Sequence, residues 1–239
     1  MNLYADSAHP VRKDISEVHA SQLKTFGMPG TWGSGAQRLA VAAEARKACY
    51  EAGILENSTA TEVENDESLP DVAREVIRLL AVSPKDVDKA SYDSAIIGGL
   101  SDTEYVEIVG LVARLVNFDV FARGIGVPLR QLPVAEKGEP SRERPEAAIQ
   151  ELAWVPTIPN PPEGGEAANE LYGGHSKPYI VRGLSLVPDE VRAHLELEEA
   201  QYLPLRHILK PNYQHHEGLT RSQVEIVAGR VSAINECFF

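Results

Sequence analysis

Glu225, Ser232, Asn235 and Cys237 are the residues of this chain whose types and spacing could do chemistry. They lie in the run Val224-Glu225-Ile226-Val227-Ala228-Gly229-Arg230-Val231-Ser232-Ala233-Ile234-Asn235-Glu236-Cys237. A carboxylate can move protons, and a thiol can be oxidised and reduced again. The twelve residues from Glu225 to Cys237 would span about 18 Å of unbroken helix, with the two side chains about 120° apart. Glu225 could not then reach the thiol. A useful arrangement needs the helix to end near Asn235, a residue type that tolerates left-handed geometry and can cap a following helix. Cys237 would then stand in the first turn of that helix, where free N–H groups and the dipole favour a thiolate. A group at position 240 would face it across an i,i+3 spacing. Two thiols so placed can close a disulfide that an external dithiol reopens.

Val224, Val227, Ala228, Val231 and Ile234 follow the three–four spacing of a buried stripe. Glu225 falls on another face, above Gly229, Ser232 and Ala233, small residues that would let a neighbouring helix come close. Such closeness would desolvate the carboxylate and raise its pKa toward the range useful for proton transfer. The plainer reading of Glu225 is a surface carboxylate in salt-bridge contact, and that of Cys237 an inert buried thiol. His207, His215 and His216 have no acidic or thiol ligands at helical spacing and read as a solvated loop rather than a metal site, with a pocket-lining role open. Cys49 reads as a small core residue. Trp32-Gly33-Ser34-Gly35 is too loose a frame for a phosphate loop and reads as the turn opening a helix.

The Glu225 to Cys237 run resembles the signature of the alkylhydroperoxidase and carboxymuconolactone decarboxylase-like family, in which a Glu is followed twelve positions later by Cys-x-x-Cys-x-x-x-His. The likeness is confined to about the last twenty residues. It implies an antioxidant thiol peroxidase or disulfide oxidoreductase with no bound cofactor and no metal. In that scheme the second Cys attacks a hydroperoxide, the first resolves the product as a disulfide, and Glu and His relay protons. Here it assigns Glu225 as the relay carboxylate and Cys237 as the resolving thiol. It also implies a thioredoxin-like or other dithiol reductant and a homo-oligomer. A lactone decarboxylase is the alternative within the family, and a non-catalytic helical scaffold or assembly partner the alternative outside it. The sequence stops at Phe239, where the second Cys of the signature would come next. Selenocysteine is encoded by UGA, which is read as stop, and selenium helps most at the attacking position. The expectation is Cys-x-x-Sec, with UGA directly after the Phe239 codon, then three codons and a His codon. A fragment or a nonsense mutation is the competing explanation.

The elements that must position these residues read as helical. Apolar spacing is mostly three and four, with no long alternating strands. The expected helices are Gly35 to Ala52, Leu69 to Ala81, Lys85 to Ile97, Asp102 to Gly124, Arg144 to Leu152, Asp189 to Leu203 and Thr220 to Ile234. Ser101-Asp102-Thr103-Glu104 and Thr220-Arg221-Ser222-Gln223 have capping-box form, and Pro84 and Pro188 open further segments. Glu56 to Ser68 reads as a solvated acidic loop. Leu80 to Val87 parallels Leu184 to Val191, and Val106-Glu107-Ile108-Val109 recurs as Val224-Glu225-Ile226-Val227. This predicts an all-α chain of two similar halves, residues 1–131 and 175–239, joined by a Pro/Gly-rich linker over 132–174. In the first half Asn117 falls on Asn235 and Asp119 on Cys237.

With 239 residues, 43% of them hydrophobic and 24% charged, the composition is globular. The net charge of -12 and the lack of a basic stripe argue against nucleic acid and anionic membrane partners. The first twenty residues carry no apolar signal core, no window is long and apolar enough to span a bilayer, and two cysteines make no disulfide framework. A cytoplasmic protein is expected.

Overall fold

The computed structural model describes residues 2–56 and 69–237. Among the described residues the protein is all-α, with no strand beyond the single antiparallel bridge Ile149–Thr157. The helices are α1 (Lys13–Thr25), α2 (Gly35–Glu51), α3 (Asp71–Val82), α4 (Lys89–Ile97), α5 (Asp102–Gly124), α6 (Gly165–Tyr172), α7 (Tyr179–Arg182), α8 (Pro188–Gln201) and α9 (Arg221–Ile234). Both expected capping boxes form. Ser101 accepts the Glu104 N–H while Glu104 returns to the Ser101 N–H, and Thr220 and Gln223 do the same for α9. Each satisfies two amides that a helix start would otherwise leave unpaired.

α5 is the central element. It is buried through much of its circumference and packs against α2, α3 and α8, while α1 lies on α8. Phe26, Leu39, Ile77, Leu111, Leu115 and Phe118 form the main core, which also takes in Leu186, Val187 and Leu197 from the C-terminal half. A smaller cluster joins Ile158, Ala168, Leu171, Tyr172 and Val181 to Val191 of α8. α8 therefore faces both clusters, a position that demands close approach. At Gly110 of α5 an added Cβ would lie 2.3 Å from Glu190 Oε2, so only glycine admits the α8 carboxylate there.

Three expectations require correction. Arg144 to Leu152 is not helical: Ile149 and Thr157 exchange both backbone hydrogen bonds, at 3.0 and 2.9 Å. The Pro-rich stretch pairs its backbone across a turn instead of along a helix. Helix α1 has no counterpart in the apolar pattern because its buried positions are largely polar, Ser16, His19 and Gln22 beside Leu23. Most consequentially, the α9 stripe is largely left unpacked among the described residues. Val227, Val231 and Ile234 are 64, 51 and 62% exposed, and only Val224 and Ala228 of the stripe are half-buried. α8 has already spent its faces on α1, α5 and the smaller cluster, and α9 is attached by polar contacts at its two ends. The stretch expected as a linker contains α6, stopped by the left-handed Gly173. Of the acidic loop expected over Glu56 to Ser68, all but Glu56 lies outside the described residues. No helix of the described residues is long and apolar enough to cross a membrane.

Candidate functional site

Glu225 sits one turn into α9. Its Oε1 accepts a 2.6 Å hydrogen bond from the Tyr202 hydroxyl and a second from Arg221 Nε four residues earlier. Arg221 also donates to the Ile208 carbonyl at 3.1 Å. The Tyr202 hydrogen bond, outweighing some desolvation and joined by Arg221, holds the carboxyl below the usual range. Tyr202 itself is pushed up to about 12, first by burial and then by Glu225. The expected upward shift of Glu225 is thus reversed. Among the described residues nothing lies within 4 Å of a Cβ added at Gly229, and the desolvation of Glu225 is outweighed by its hydrogen bonds to Tyr202 and Arg221.

The other end of α9 makes the expected break one residue late. Asn235 remains near helical geometry at φ -83°, and Glu236 is the left-handed residue at φ 50°. The Cys237 N–H closes the turn on the Ser232 carbonyl at 2.9 Å, the six-to-one bond of a Schellman ending. Lys85 anchors this tail through Glu236 at 2.9 Å. Cys237 is exposed and lies against the carbonyl end of α9; the following helix expected to carry it falls outside the described residues. Because α9 runs unbroken from Arg221 to Ile234, about 13 Å of helix rise separates Glu225 from the end of the helix. The structure does not bring Glu225 and Cys237 together.

Sequence reasoning missed a network of charges in the interior. Glu107, the counterpart of Glu225 in the recurring tetrapeptide, is buried. Its Oε2 accepts the N–H groups of Trp32 and Gly33, both at 2.8 Å, and its Oε1 pairs with Arg38. Arg38 also lies 3.7 Å from Glu190, which Arg114 holds through two bonds of 3.0 and 2.9 Å. Asp119, the counterpart of Cys237, accepts bonds of 2.9 and 2.7 Å from Arg46; burial raises its pKa against the pull of Arg46. The available signal was Arg38, Arg46 and Arg114 standing among apolar residues of α2 and α5, where an arginine needs a buried partner. Cys49 is buried, as expected, and burial raises its thiol pKa.

The histidines gather in a run of rings: His207 and Tyr213 lie 4.0 Å apart, Tyr213 and His215 6.1 Å, and His215 and His216 4.8 Å. His215 and His216 each contact a backbone carbonyl at 2.8 Å, and His216 also meets Arg12. No group of three His, Cys, Asp or Glu able to hold a metal occurs among the described residues.

The carboxylate whose pKa does move into the proton-transfer range is Glu198 of α8. Burial pushes it up to about 7 against the opposing pull of Lys177, and His194 lies 4.0 Å away. A carboxyl raised in the folded state stabilises the fold fully below its unfolded value and loses that contribution as pH rises through about 7. Glu198→Gln is therefore expected to raise the unfolding free energy at pH 8 by about 2 kcal/mol and to leave it little changed at pH 4.5. Urea titrations at the two pH values test this; an equal effect at both would exclude it.

No family model, curated protein or solved structure matches this chain.

Proposed function

We propose that the protein is a thiol- or selenol-dependent oxidoreductase of the alkylhydroperoxidase type, with Cys237 as resolving thiol and Glu225 as relay carboxylate. The observation that carries this reading is the exposed Cys237, presented by a helix-ending turn twelve residues after a hydrogen-bonded Glu225. By the resemblance, the attacking thiol or selenol follows three residues later. It displaces an alcohol from a hydroperoxide and takes one oxygen. Cys237 then attacks the oxidised atom, water leaves, and the bridge that forms is reduced by an external dithiol. Tyr202 and Arg221 keep Glu225 ionised; its relay role comes from the resemblance alone, since α9 runs unbroken between it and the turn that carries Cys237.

The test is consumption of an alkyl hydroperoxide with dithiothreitol as reductant. The chain to Phe239 is expected to show almost no turnover. A version continued with cysteine at position 240 and histidine four positions beyond should gain it, and Cys237→Ser should abolish that gain. Turnover unchanged by Cys237→Ser would refute the assignment. An assembly role is favoured by a separate observation, the exposed apolar stripe of α9. In that reading Val231→Glu lowers the oligomeric state in sedimentation experiments and leaves the monomer folded.

A further inference from the structure

A cleft of about 510 Å³ opens between α3, the turn after it, α4, α5 and the segment leading into α7. Its walls include Leu80, Val87, Tyr92, Tyr105, Trp154 and Ile180, and no charged side chain lines it. We propose that this cleft is a binding site for an uncharged aromatic molecule carrying one hydrogen-bond acceptor.

Size and lining give the first part of the argument. The volume lies within the roughly 300–1,000 Å³ of small-molecule sites, which are mostly apolar with a few polar groups to orient the ligand. Aromatic rings form a corner. Tyr92 and Tyr105 meet edge to face with centroids 5.0 Å apart, and Trp154 lies 6.1 Å from Tyr92 at an interplanar angle of 34°. Such a corner offers both a face and an edge to an incoming ring. Ile180 is 52% exposed and Trp154 40% exposed, leaving apolar surface in water until something covers it.

The polar groups give the second part. Tyr92 and Tyr105 are each 7% exposed, yet neither hydroxyl has a hydrogen-bond partner among the described residues. Neither oxygen belongs to the fully buried polar atoms that lack a partner, so each keeps access to water and can exchange it for an acceptor brought by a ligand. Burial raises both phenol pKa values, so both remain donors at neutral pH and select for an acceptor. No charged side chain lines the cleft, and the nearest cation placed at its corner, Lys89, stands 5.7 Å over the Tyr92 ring, so a ligand carrying full charge would lose its hydration for little compensation. The net charge of -12 disfavours anions further.

The site is independent of the redox reading and is tested without turnover. Prodan, a neutral naphthalene ketone, is titrated into the full chain. The expected result is saturable binding with a blue-shifted emission and energy transfer that falls in Trp154→Phe. Neutral acetylnaphthalene should displace it, whereas naphthoate should not at about tenfold higher concentration. Tyr92→Phe and Tyr105→Phe together should weaken binding about threefold to tenfold by removing the donors. Ile180→Asp, at an exposed position that folding tolerates, should weaken it more than about tenfold. Absence of saturable binding, indifference to Ile180→Asp, or equal displacement by naphthoate would overturn the proposal. So would an Ile180→Asp variant that dissociates a dimer of a wild-type protein unable to bind prodan, since a second copy would then cover the cleft.

Discussion

Glu107→Ala is expected to lower the unfolding free energy by about 3–5 kcal/mol, whereas Glu225→Ala, in the same Val-Glu-Ile-Val tetrapeptide, should change it by less than about 1 kcal/mol. Removing the Glu107 carboxylate strands three donors at once, the N–H groups of Trp32 and Gly33 and the guanidinium of Arg38, whose side chain is only 7% exposed. Glu190, 3.7 Å from Arg38, remains as a more distant counter-ion but is shared with Arg114, which holds it through two bonds. The cost is that of two unpaired N–H groups and a buried cation stripped of its nearest carboxylate, which exceeds the net worth of the pair. Glu225, with a side chain 42% exposed, is screened by water, and its removal leaves Arg221 with backbone carbonyls as acceptors. Urea unfolding of the two variants measures the difference. Adding Arg38→Met to Glu107→Ala should recover part of the loss, because the stranded cation is removed with its partner. Equal losses for the two alanine variants, or no recovery in the double variant, would contradict the buried network.

The second large effect is a dependence of stability on acid. His19 of α1 is fully buried, and burial pushes its pKa down to about 4. Its tautomer follows from its neighbours. Asn117 and Gln201 exchange two amide hydrogen bonds, which makes the Gln201 nitrogen a donor to His19 Nε2 at 2.8 Å. The proton is then on Nδ1, which donates to the Tyr4 hydroxyl oxygen at 2.7 Å. Protonating Nε2 would set two donors against each other, and burial opposes the charge. A histidine with a depressed folded pKa contributes stability that is present above its unfolded value near 6.5 and is lost as pH falls toward about 4. The loss amounts to about 3 kcal/mol. Glu198 has the opposite slope over nearly the same window, gaining stability as pH falls from about 7, so the two partly cancel in the wild type. His19→Gln should therefore become more stable between pH 7 and 5, and Glu198→Gln less stable. Parallel pH profiles for the wild type and both variants would refute the two assignments.

The same tetrapeptide marks how far the sequence could be read. Its spacing sets each copy on a helix, and the capping residues Ser101 and Thr220 start those helices where expected, because capping and periodicity are local properties carried by a few neighbouring side chains. The ends of α5 and α9 were legible for that reason, whereas the left-handed residue is Glu236 and not the expected Asn235. Helix α1 was hidden, since Ser16 and His19 are buried through hydrogen bonds to the N-terminal segment, and His19 and Gln22 through hydrogen bonds to α8, and no apolar period announces them. Arg144 to Leu152 looked helical from composition, but Ile149 finds its backbone partners at Thr157.

The sequence by itself determined the all-α character, most helix limits, the buried place of Cys49 and the presence of Glu225 and Cys237 at twelve-residue spacing on a helix that ends just before the thiol. Only the tertiary structure decided that Glu107 is desolvated and paired while Glu225 is solvated and held by Tyr202, and that Glu198 is the carboxylate raised toward neutrality. Burial and electrostatic partnership are set by which helices meet. α8 packs against α1 and α5 instead of covering α9, and that choice depends on contacts between residues separated by most of the chain. A period of three and four shows which face of a helix is apolar, and it carries no information about what, if anything, comes to lie against that face.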